Sequence, residues 1–124
     1  MDKNMLINYI ADFYGVSPEH PWESHPDYMV FRHDVNRKWF AVIMNIPKSR
    51  LGLGEGEIDI VNLKCEPLLT GALRQESGIL PAYHLNKNNW VSVCLDGSYD
   101  DDKIIGLLNM SFGLTAPKIK KKTR

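Results

Sequence analysis

Residues 38–46, KWFAVIMNI, constrain the fold of this chain more than any other segment. Read as a strand, they place Phe40, Val42 and Met44 on one face and Trp39, Ala41 and Ile43 on the other, and both faces are apolar. Such a strand needs cover on both sides. It belongs near the centre of a sheet, with helices over one face and partial protection on the other.

The flanking segments supply those neighbours. Residues 28–34 read as a strand, and Val35-Asn36-Arg37 as the tight turn joining it to the central one. Residues 47–56 hold Gly52, Gly54 and Gly56 with Lys48 and Arg50, as the long tip of a hairpin would, and residues 57–64 form its returning strand. A further strand is expected over 90–95, ended by the turn signal Asp96-Gly97.

Three helices are expected. In the first, Leu6, Ile10 and Phe13 recur at i, i+4 and i+7 with Tyr9 beside them, and Gly15 suits the residue just past the end. The second starts at Glu66-Pro67 with Leu69, Ala72 and Leu73 inward, and Gly78 and Pro81 close it. The third starts after Ser98, three residues before Asp101. Ile104, Leu107, Leu108 and Phe112 face the core, and Gly113 stops it. Residues 16–27, with Pro18, Pro21 and Pro26, form an irregular crossing. The fold class is α+β: one antiparallel sheet with helices on one face. At 124 residues the chain fits one domain, taken as 1–117, followed by a basic tail, 118–124.

Charge narrows the function classes. The 15 basic and 15 acidic residues cancel, whereas nonspecific nucleic-acid binders carry a basic excess. The excess here is local: residues 86–124 hold 7 basic and 4 acidic side chains, with Lys118, Lys120, Lys121 and Lys122 in the tail. The start of the chain is amphipathic, unlike a secretory leader, and no apolar run approaches the roughly 20 residues of a membrane span. The expectation is a cytoplasmic protein without membrane association. Cys65 and Cys94 lie in apolar, strand-like surroundings and read as buried thiols.

Several short runs resemble the MmcQ/YjbR family of small bacterial proteins. They are Trp22 with His25-Pro26, Trp39-Phe40-Ala41, Lys64-Cys65-Glu66-Pro67, the run from Gly78 through Lys87 with Trp90, and Ser111-Phe112. The resemblance implies a frataxin-like (CyaY-like) fold. It also implies a proposed double-stranded DNA-binding role through two wing-like loops, here 47–56 and 78–89. It implies no catalytic residue and no cofactor.

On that reading Lys48 and Arg50 of the first loop, Asn86 and Lys87 of the second, and Lys118, Lys120, Lys121 and Lys122 of the tail are the candidate phosphate contacts. Glu55 and Glu57 oppose a polyanion. Tyr83 and His84 are expected to hold the second loop in shape through local hydrogen bonds. Trp39 and Trp90 are expected at core edges, while Trp22 is open to a stacking role.

Other chemistries find less in the residues. The four histidines, His20, His25, His33 and His84, lack zinc-site spacing, and no metal is expected. The first helix lacks the acidic face of iron-binding frataxins, having only Asp2 and Asp12. Cys65 and His84 form a nucleophile–base pair only if the fold joins them. Gly52-Leu53-Gly54-Glu55-Gly56 precedes a strand, not the helix a dinucleotide site needs. The alternative to DNA is a protein-interaction or small-ligand module using the same loops.

Overall fold

The computed structural model describes residues 1–118. Lys120, Lys121 and Lys122, expected as phosphate contacts, lie outside them. Helix α1 is Lys3–Tyr14, followed by strands β1 (Met29–Arg32), β2 (Trp39–Pro47) and β3 (Glu57–Lys64). Helix α2 (Pro67–Leu73), strands β4 (Ile79–Pro81) and β5 (Trp90–Cys94), and helix α3 (Asp101–Thr115) complete the order. The strands form one sheet, β1-β2-β3-β5-β4, with every neighbouring pair antiparallel. The architecture is α+β, with all three helices on one side, as the apolar patterning implied.

The central strand departs from simple alternation at its start. Phe31 pairs with Ala41 and Arg32 with Trp39, so Phe40 is an extra residue, a β-bulge. The bulge moves Phe40 to the helix-covered face beside Ala41 and Ile43. Trp39 goes to the opposite face with Val42, Met44 and Ile46. The expected grouping is therefore corrected at Trp39 and Phe40, because period-2 reasoning cannot see an inserted residue. Ser111 of α3 satisfies the interrupted ladder: its hydroxyl donates to the Phe40 carbonyl (2.5 Å) and accepts from the Lys64 N–H (2.8 Å).

The helix-covered face is a closed core. Leu6 and Ile10 of α1 and Ile104, Leu107 and Leu108 of α3 pack on Phe31, Ile43, Val61, Leu63, Val91 and Val93. Asp2 caps α1 by accepting from the Met5 N–H, and Gly15 ends it at φ +68°, in the left-handed region. Phe13, expected inward, is 62% exposed. Tyr14 takes its place, stacking on Phe112 at 4.0 Å and hydrogen bonding to Asn109. The inward spacing is therefore i, i+4, i+8.

Four further expectations are corrected. In α2, Leu69 and Ala72 are exposed and Thr70 is buried, because a seven-residue helix turns only positions 70 and 73 toward the sheet. Residues 79–81, expected to end a helix, form the edge strand β4, where a proline is tolerated. In α3 the cap is Asp100, whose carboxylate accepts from the Lys103 N–H, while the Ser98 N–H closes a turn on Asp96. Gly113 does not stop α3. The helix runs to Thr115, whose hydroxyl donates to the Ser111 carbonyl and bonds His33 Nε2 at 2.8 Å.

The opposite face is also apolar, through Val30, Val42, Met44, Ile46, Ile58 and Ile60, but among the described residues no α-helix covers it. Trp22 of the crossing, Leu51 after β2 and Tyr83 and Leu85 after β4 lie down on it. The loops after β2 and β4 are thus anchored to the sheet by these side chains, with residues 52–57 exposed at the first tip. Among the described residues, no helix is long and apolar enough to cross a membrane.

Candidate functional site: a groove on the loop-covered face

Three segments converge on this face, each held by its own backbone bonds. The crossing docks on β1 through paired bonds between Glu19 and Val30 (both 2.9 Å). Two turns then follow, His25 N–H to Trp22 C=O and Tyr28 N–H to His25 C=O, which gather Trp22, His25 and Tyr28. The His25 ring stacks on Tyr28 at 4.3 Å, nearly parallel, and Trp22 meets Tyr28 and Trp39 edge-on, at 75° and 73°. Arg32 caps the Trp39 ring at 5.6 Å. The second segment is the single 3₁₀ turn Lys48–Leu51, which carries Arg50 and Leu51 and ends at Gly52.

The third segment is the loop 82–89, and its internal bonds revise the expected roles. The Tyr83 N–H donates to Ser92 Oγ (2.9 Å), and the Ser92 hydroxyl donates to Asn62 Oδ1, both residues being fully buried on β5 and β3. The Asn86 side chain accepts from the Asn88 N–H, and its carbonyl accepts from the Asn89 and Trp90 N–H groups. Lys87 Nζ donates to the Ala82 carbonyl (3.0 Å). Asn86 and Lys87 are therefore engaged in shaping the loop. Among the described residues His84 makes no side-chain hydrogen bond, so the expectation that it ties the loop is corrected. It is exposed, sits at φ +60° and lies against Tyr83 at 4.0 Å.

These segments enclose three hollows that run into one another. One, about 340 Å³, is lined by Trp22, Tyr28, Trp39, Met44 and Leu85 with His25 and His84. The next, about 380 Å³, shares His25, Tyr28 and His84 and adds Asp27, Asn45, Glu57, Arg50 and Tyr83. The last, about 240 Å³, shares Arg50 and Tyr83 and adds Leu51, Leu80 and Lys87. Together they form a groove, apolar and aromatic at one end and charged at the other. Burial, reinforced by the charge of Asp27, holds the Tyr28 hydroxyl above its ordinary value although Arg50 pulls it down.

Among the described residues, the other predicted cations, Lys48 and Lys118, do not line these hollows. Burial alone would raise the Asp96 carboxyl, but hydrogen bonds from Ser98 and the charge of Lys48 hold it below its usual value. Lys118 follows α3, whose end packs against His33 and Asn36 at the β1–β2 turn. Nine-residue β2 separates that turn from Arg50 by roughly 27 Å.

Cys65 belongs to the helix-covered core and His84 to the groove, so the sheet keeps them apart as a catalytic pair. Burial raises both thiols, that of Cys94 to about 11, with Asp96 adding to it. Among the described residues no three His, Cys, Asp or Glu side chains converge as a metal site requires.

The recurring sequence pieces take on structural meaning here. Trp22 and His25 wall the groove, the residues after Gly78 build β4 and its loop, and Ser111 repairs the bulge. The family model described as YjbR matches residues 11–114. The chain belongs to the YjbR family. It is 43% identical over 111 residues to YyaQ of Bacillus subtilis (strain 168), covering 89% of this chain and 94% of that one. It is 29% identical over 109 residues to YjbR of Escherichia coli (strain K12), covering 87% and 85%. A crystal structure of a Pseudomonas syringae protein superposes with a TM-score of 0.92 at 44% identity, covering 94% of this chain and all of that one. A Deinococcus radiodurans protein shares the fold, with a TM-score of 0.68 at 24% identity over 91% of this chain and 77% of its own.

Signals for the groove were present in the sequence only as separate pieces. Trp22, Tyr28, Tyr83 and His84 each stood out in a loop or at a strand end, but no spacing rule joins residues about 60 positions apart.

Proposed function

We propose that this YjbR-family protein is a non-catalytic binding module that holds a small ligand in the groove on the loop-covered face. The continuity of the groove carries this reading: its aromatic end and its charged end share His25, Tyr28 and His84, so one molecule can span both. Hollows of this size, with an aromatic end and a few converging polar groups, are what small-molecule sites look like. The test is an amide NMR titration against a fragment set. Shifts clustering at Trp22, Tyr28, Trp39, Arg50, Tyr83 and His84 are expected. Shifts confined to the hollow at the other end of β1, lined by Tyr14, Glu19 and Arg37, would refute the assignment.

A second reading, double-stranded DNA binding through the two loops, draws support from one observation. Arg50 and Lys87, one from each loop, line the same hollow. Against it stand the position of Lys118 and the carboxylates Asp27 and Glu57 beside Arg50. A footprint of about five phosphates gives a log K against log salt slope near −4.5, whereas Arg50 and Lys87 alone give about −1.8. A mobility-shift series with the intact and tail-deleted chains separates these. Binding lost only with the tail leaves the loops without a DNA role.

A further inference from the structure

Resting on the small-ligand reading, we infer that the groove takes an aromatic zwitterion, the chemical class of free aromatic α-amino acids. The charged end presents one guanidinium, Arg50, and two carboxylates, Asp27 and Glu57. All three are exposed, and among the described residues none forms an ion pair or a side-chain hydrogen bond. Charges of both signs thus face one hollow without neutralising each other. A simple anion there meets two carboxylates, and a simple cation meets Arg50. A ligand bearing an ammonium and a carboxylate on one carbon complements both.

The rest of the groove sets the ligand's other half. Trp22, Tyr28 and Trp39 stand roughly at right angles around a hollow of about 340 Å³ with Met44 in its lining. Such walls offer faces and edges to a planar ring. Arg32 beyond Trp39 makes this end a poor seat for a quaternary ammonium, which an aromatic box would otherwise suit. The ring therefore belongs at the aromatic end and the zwitterionic head at the charged end. A guanidinium binds a carboxylate through two parallel N–H bonds, and that geometry assigns the head's carboxylate to Arg50 and its ammonium to Asp27 and Glu57.

The test uses the intact chain and three probes: L-phenylalanine, phenethylamine, which lacks the carboxylate, and 3-phenylpropionate, which lacks the ammonium. Saturable amide shifts at groove residues are expected with L-phenylalanine, and each truncated probe should bind about tenfold more weakly, the loss of one charge-assisted contact. Arg50→Ala should abolish the preference over phenethylamine alone. Glu57→Gln combined with Asp27→Asn should abolish the preference over 3-phenylpropionate alone. Equal binding of the three probes, or no groove shifts with any of them, overturns the inference. In the second case, groove shifts from fragments of another class leave the groove standing as a site, whereas silence from every fragment removes both readings.

Discussion

The two faces of one sheet have been finished in different ways. Both present Val, Ile and Met side chains from the same strands, yet α1 and α3 close one face completely while loops cover the other. A helix offers an apolar stripe that interdigitates with a sheet and leaves few voids. Loops keep their backbone polar groups near water and reach the sheet with isolated side chains, here Leu51, Tyr83 and Leu85. The spaces between those anchors are the groove. Incomplete packing on one face leaves the groove in which we propose that a ligand sits, while the closed face supplies most of the packed core.

Truncation on each face measures that division most directly. Leu108, fully buried under α3, should cost about 3 kcal/mol as Leu108→Ala in urea unfolding, within the usual range for a core leucine. Leu85→Ala, which empties a half-buried anchor beside an existing hollow, should cost about 1 kcal/mol. Equal losses would mean that the loop-covered face is as well packed as the other, and the groove assignment would fail.

A serine on each face offers a sharper version. Ser111→Ala leaves the Phe40 carbonyl and the Lys64 N–H without their partner at the bulge and should cost about 1–3 kcal/mol. Ser92→Ala frees the Tyr83 N–H and Asn62 in the same way. Its global cost should be similar or smaller, because the loop can swing to water. Its signature should be faster hydrogen exchange confined to residues 82–89. Uniform acceleration across the sheet would show that the loop is no separate unit.

These serines also mark the limit of what the sequence discloses. The three helices and strands β1, β2, β3 and β5 follow from periodicity, whereas the three-residue β4 is too short to show one. The bulge is invisible because Trp39 and Phe40 are both large and apolar, so exchanging their faces leaves the pattern unchanged. Phe13 and Tyr14 pose the same problem in α1, where only the position of Phe112 decides which ring turns inward. In the loop 82–89, the sequence suggests Asn86 and Lys87 for contact and Tyr83 and His84 for support. The structure places the first pair in the loop's internal bonds, while Tyr83 anchors the loop to the sheet and His84 makes no such bond and lines the groove. Local composition marks this loop as polar, but which polar group faces outward depends on Ser92, Asn62 and Ala82, and hence on tertiary structure.

Acid should affect the closed face through His33. Burial holds its imidazole below the ordinary value of 6.5, although a bond to the Phe112 backbone works the other way. The folded state therefore takes up the proton less readily than the unfolded one. Stability is complete above about pH 6.5, falls as the pH drops below it, and levels off below the depressed folded value. His33→Gln should flatten that part of the profile. An unchanged slope would assign the acid sensitivity to other groups.

The smallest expected effect on stability is the most telling about function. His84 is held at φ +60°, a left-handed conformation that costs a non-glycine residue of the order of 1 kcal/mol. Among the described residues its ring makes no hydrogen bond in return. His84→Gly removes that strain but adds about 0.5–1 kcal/mol of chain entropy to the unfolded state, so net stability should change by less than about 0.5 kcal/mol. Arg37, at the same φ, is different: its guanidinium pairs with Glu19 at 2.8 Å, so Arg37→Gly loses a contact and should be the more destabilising of the two. If His84 instead proves as costly to replace, it holds the loop after all. If its loss leaves stability level and weakens fragment binding in the groove, the strained backbone is there to present the imidazole to a ligand.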